Sequence, residues 1–136
     1  MRQALCAAGN AWRPRVRLAA LAAFACVPSC AMPPLSPDAP RAVDRLAIAP
    51  YAAHEQCADL AAGERLDYRY RSSAPLDFEI RYREDNVLVS PIVRQQSTTG
   101  SGIFDVRAAA RYCLNWQAGA AGAIIGYRVL VRRDRE

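Results

Sequence analysis

Between Leu66 and Arg83 the chain alternates apolar and charged residues. Leu66, Tyr68 and Tyr70 alternate with Asp67, Arg69 and Arg71. Leu76, Phe78, Ile80 and Tyr82 then alternate with Asp77, Glu79, Arg81 and Arg83. Side chains of a β-strand point to opposite faces in turn, so a period of two with one apolar face marks a half-buried strand. Ser72, Ser73 and Pro75 divide the run into two strands, and Glu84, Asp85 and Asn86 supply the next turn. Val87–Val89 and Ile92–Arg94 read as a strand interrupted by Pro91, which places it at an edge or a bulge. "QQSTTGSG" reads as a polar loop, Ile103–Val106 and Tyr112–Trp116 as strands, and "QAGAAG" as a turn. Ile124–Arg132 closes the domain, Leu46–Ile48 and Gln56–Leu60 open it, and Ala108–Ala110 has room for one helical turn. About seven or eight short strands at this spacing predict an all-β fold, an antiparallel β-sandwich.

The first third of the 136 residues has a different character. Arg2, Arg13, Arg15 and Arg17 precede an unbroken apolar run, Leu18–Val27, with no acid among them. That run is shorter than the roughly 20 residues a membrane-spanning helix needs, and the pattern is that of a secretory signal peptide. Val27-Pro28-Ser29-Cys30 resembles the lipobox of bacterial lipoproteins, with Ala23-Phe24-Ala25-Cys26 as an alternative. Lipid on Cys30 (or Cys26) would anchor the protein to a membrane surface. Ordinary cleavage, for instance after Ala31, would release it instead. The expected organisation is a leader over 1–30, a Pro-rich tether over 31–43 with Pro33, Pro34, Pro37 and Pro40, and a folded domain over 44–136. Four of the 18 basic residues fall in the leader, leaving 14 against 13 acids and a net charge of +1. Such a nearly neutral remainder offers no basic track for nucleic acid. All the basic residues are arginine, which together with the heavy use of alanine reads as a coding bias.

Of five cysteines, Cys6, Cys26 and Cys30 lie in or at the leader, so the domain holds Cys57 and Cys113. A pair in a small exported domain reads as one disulfide. Catalysis by Cys113 would need a base, and a zinc site would need a fourth ligand beyond His54, Cys57 and Cys113. Neither a catalytic residue, a metal site nor a cofactor is therefore expected. Cys57 and Cys113 both lie on the polar parity of their strands, which places the bridge at an outer face or rim.

The order of these features resembles a GOLD domain, the β-sandwich module of secretory-pathway cargo receptors. The resemblance rests on Cys57 before the Gly63–Leu66 turn, on "LDFEI" at Leu76–Ile80, and on the Tyr112-Cys113 strand. It covers roughly Gln56 to Val131. The "YCLNW" stretch is also similar to that of small exported bacterial proteins. The resemblance implies a fold and a binding role; it covers the sandwich alone and not the receptors' coiled coil and membrane helix, so cargo transport is not implied.

The resulting functional expectation is a non-catalytic binding or interaction module of the bacterial cell envelope. It would be periplasmic and lipid-anchored, with a protein or glycan partner. Its contact surface is expected at the "RQQSTTGSG" and "WQAGAAG" segments, with Trp116, Gln117, Gln95, Gln96 and Ser97. Tyr68, Tyr70 and Tyr82 share the parity of Leu66, Phe78 and Ile80 and are expected in the core. Two other roles are open. One is an inhibitor of envelope enzymes. The other is a hydrolase using Asp77 and Glu79, whose simpler reading is cross-strand pairing with Arg69 and Arg71.

Overall fold

The structure, a computed structural model, describes Leu35 and residues 38–133. The leader with Cys26 and Cys30 lies outside the described residues, as do residues 31–34, 36 and 37 of the Pro-rich segment. Six strands follow in order: β1 (Arg41–Ile48), β2 (Ala53–Leu60), β3 (Arg65–Glu84), β4 (Val87–Asp105), β5 (Ala110–Ala118) and β6 (Ala123–Arg132). Among the described residues there is no helix, including at Ala108–Ala110. β1 begins at Arg41, inside the span expected to be a tether, and Leu35 is buried in the core.

All pairings are antiparallel, in the order β1-β6-β3-β5-β2, with β4 on the other edge of β3. β3 organises the sheet. One of its edges carries β4 along nearly its whole length. Its other edge is divided, with Arg65–Ser72 pairing with β6 and Leu76–Arg81 with β5. The sheet therefore curls into a half-barrel with two arms, β1-β6-β3 and β3-β5-β2, that share one strand. The curl brings Trp116 of β5 onto Tyr127 of β6, ring centroids 4.6 Å apart.

Six strands stand where seven or eight were expected, because two presumed breaks are continuous strand. Ser72–Pro75 is the bend of β3. The Ser72 hydroxyl donates to the Ala74 carbonyl at 2.6 Å, and Ser73 Oγ accepts the Ile124 amide at 2.9 Å. The bend thus satisfies its own polar groups and ties β3 to the start of β6. "QQSTTGSG" is not a loop but the middle of β4. Gly100 and Gly102 pair with Tyr70 and Tyr68, whose rings lie across them. A Cβ at residue 100 would fall inside the Tyr70 ring's contact radius, so the glycines make room for aromatic packing on a strand. The β3–β4 hairpin closes through Asp85 and Asn86, both at positive φ (47° and 65°), the tight two-residue turn suited to strand twist.

The core is the concave face. Leu66, Leu76, Phe78, Ile80, Leu114, Trp116, Ile125 and Val129 are fully buried, one every second residue along β3, β5 and β6. Aromatic contacts run through it: Tyr70 to Phe78 at 4.6 Å, Phe78 to Trp116 at 5.5 Å, then Trp116 to Tyr127. Tyr68 and Tyr70 are buried as expected, and Tyr82 packs against Tyr112 at 4.6 Å.

Candidate functional site

Cys57 and Cys113 face each other in the β2–β5 ladder and form a disulfide, with Cα atoms 4.0 Å apart. Their strand neighbours Ala58, Tyr112 and Leu114 turn inward, so the bridge lies on the convex face, where parity places it. His54 points the other way. It shares the inward parity of Gln56 and Ala58 and stacks on Trp116, centroids 5.7 Å apart. The sheet thus separates His54 from both cysteines. Glu55 and the two sulfurs do cluster, but the sulfurs are consumed by the disulfide.

His54 Nε2 lies 3.0 Å from the Tyr127 hydroxyl, which donates to Gln56 Oε1 at 3.4 Å. Which of His54 Nε2 and the Tyr127 hydroxyl donates in their shared hydrogen bond follows the imidazole tautomer. Burial holds the imidazole below its usual pKa of 6.5 and pushes the Tyr127 hydroxyl up, so both are held in the neutral form. This is a neutral relay inside the core.

The convex side of the β3-β5-β2 arm is electrostatically closed. Arg81, opposite Cys113, pairs with Glu55 and with Glu79, the latter at 3.0 Å. Glu79 also accepts from Ser90 Oγ at 3.0 Å and from Asn115 Nδ2 at 3.4 Å. Asp77 accepts the Gln96 amide at 2.8 Å. Both carboxylates are therefore engaged, and neither pairs with Arg69 or Arg71 as the alternation had indicated. Their partners are Arg81, Ser90, Asn115 and Gln96, which the bend and the hairpin register select.

The expected contact residues separate. Trp116 is not a surface residue: it is fully buried at the centre of the aromatic cluster, and its indole N–H has no acceptor among the described residues. Its parity with Tyr112 and Leu114 carries it inward, despite polar neighbours and a nearby turn. Gln117 is outward-facing, and its amide donates to the Tyr51 carbonyl at 2.7 Å. Gln95 and Gln96 are exposed, but on a strand; Gln96 at φ 50° marks the slip in β4 register. Ser97 turns inward to the Tyr70 hydroxyl at 2.7 Å.

What the sequence reading missed is the β4 edge. β4 is 19 residues long and, among the described residues, pairs with β3 alone. Its sole charged residues are Arg94 and Asp105, and Val87, Leu88, Val93 and Ile103 are exposed along it. Edge strands of soluble proteins are ordinarily kept short or studded with charge. The available signal was Pro91, which marked an edge without revealing its length. In comparisons with known proteins, no family model matches the chain and no curated protein matches it.

Proposed function

We propose that this chain is a non-catalytic interaction module of the bacterial cell envelope, anchored through lipid on Cys30, that takes up an extended partner segment along β4. The observation that carries the interaction role is the β4 edge, which no strand covers among the described residues and along which Val87, Leu88, Val93 and Ile103 are exposed. A strand added there gains main-chain hydrogen bonds, while the alternating side chains give selectivity. The export and anchoring part rests on the basic and apolar leader and its Val27–Cys30 lipobox. The GOLD-like sandwich reading belongs to the same proposal, supported by the order of strands and the Cys57–Cys113 bridge. Engagement of Asp77 and Glu79 by neighbouring side chains and backbone favours binding over hydrolysis.

The test is photo-crosslinking in cells, with a photoreactive residue at Val93, Gln95 or Gln96, and at Arg111 on β5 as control. The expected result is a discrete adduct from the β4 positions and none from Arg111. Absence of adducts, or equal adducts from all positions, refutes the edge as the working surface. Intact mass of the exported protein separately tests the anchor, which requires a diacyl or triacyl addition at Cys30.

A further inference from the structure

The two arms differ in how they treat charge on their convex faces. On the β3-β5-β2 arm Arg81 is paired twice. On the other arm Arg69 of β3 stands directly opposite Arg128 of β6, and Arg71 follows two residues along β3. All three are exposed, and none has a carboxylate partner among the described residues. Acids are not lacking nearby, since the adjacent Arg132 pairs with Asp67 at 3.1 Å. Like charges directly opposite each other in a ladder destabilise it. Arg69, Arg71 and Arg128 line one cavity of about 600 Å³ with Asp44, Thr99, Ser101 and Gly126.

The cavity has a structural cause. Arg71 pairs with Gly126, so β6 presents no side chain beside it. Glycine is required there because β1 slips register between Val43 and Leu46, bringing the Asp44 carbonyl over residue 126. A Cβ at that position would lie 2.7 Å from the Asp44 oxygen. The bulge and the glycine thus leave an open floor flanked by three guanidinium groups, with the Asp44 carboxylate as the single acid of the lining.

We propose that this cavity binds a phosphate-bearing anion, with Arg69, Arg71 and Arg128 as its charged donors and Thr99 and Ser101 as hydroxyl donors. Opposed strand residues lie about 5 Å apart at Cβ, and alternate residues of one strand about 7 Å apart. Three planar forks on such a triangle approach a tetrahedral oxyanion from several sides, whereas a planar carboxylate fills only one fork. The three guanidinium groups stand on β3 and β6, and only the hydroxyl donors Thr99 and Ser101 come from β4, so charge recognition at the site does not depend on the free backbone edge of β4 being occupied. The phosphate has two possible sources, a membrane lipid headgroup or a soluble phosphorylated ligand.

The test is a titration of the protein with inorganic pyrophosphate at low ionic strength, followed by amide NMR, beside R69Q/R128Q. The expected result is shifts at Thr99, Ser101 and Gly126 in the parent, with binding about tenfold or more weaker in the double variant. The double variant should melt no lower than the parent, because it relieves a like-charge pair. Co-sedimentation with phosphatidylglycerol against phosphatidylcholine vesicles then assigns the source. A phosphatidylglycerol preference that R69Q/R128Q loses identifies a headgroup, and pyrophosphate binding without that preference identifies a soluble ligand. No shift at these amides, an unchanged response in R69Q/R128Q, or a lower melting temperature of that variant would overturn the site.

Discussion

His54 shows how one residue's surroundings set a measurable property of the fold. Its folded pKa is below the unfolded 6.5 because the ring is half-buried against Trp116 and Tyr127. Below pH 6.5 the unfolded chain takes up a proton that the folded chain resists. Stability should therefore be fully present above that pH and fall as pH drops toward the folded value. Urea midpoints measured between pH 5 and 8 should show this slope, and His54→Phe should flatten it. Trp116 has a different test. Trp116→Ala should destabilise by about 3–5 kcal/mol through the cavity it leaves. Trp116→Phe should lose distinctly less, because it also removes a buried N–H without an acceptor. Equal losses in denaturant titrations would contradict that account. The burial of Trp116 was legible in its parity with Leu114, but its polar neighbours Asn115 and Gln117 pointed the opposite way. Arg69 and Arg71 read as cross-strand partners of Asp77 and Glu79, whereas Arg69 in fact stands opposite Arg128, and nothing local says that residue 69 will meet residue 128.

At the scale of elements, alternation identified strands well, because facing and burial follow directly from strand geometry. It failed where glycine or serine replaced the apolar member. Gly100 and Gly102 read as loop because their packing is supplied by Tyr70 and Tyr68 on another strand. Gly100→Ala should accordingly destabilise by about 1–3 kcal/mol through overpacking, whereas a true loop glycine of ordinary φ would tolerate it. Thermal melts of this variant beside Gly119→Ala, where the nearest atom would be 3.9 Å away, make the comparison. Ser72–Pro75 read as a break because the local chemistry of a bend and of a turn is the same. Only the partners of β3 on either side, β6 and then β5, distinguish the two. The disulfide was legible from cysteine number and its face from parity. It joins residues 56 apart in sequence. Its loss in Cys57→Ala/Cys113→Ala should destabilise by about 4 kcal/mol, read from chemical denaturation against the oxidised parent.

For the molecule as a whole, the strand order carries a consequence in time. Among the described residues β2 pairs with β5 alone and β1 with β6 alone, so the two earliest of these strands must wait for the two latest. β3 in turn needs both β5 and β6 to fill its divided edge. Among the described residues the β3–β4 hairpin is the one pairing between consecutive strands, and its two-residue turn makes it the natural first structure. Everything else closes over long stretches of chain, a pattern associated with folding in milliseconds to seconds. During that interval the growing hairpin stands alone with both edges open, and only one of them will be covered when β5 and β6 arrive.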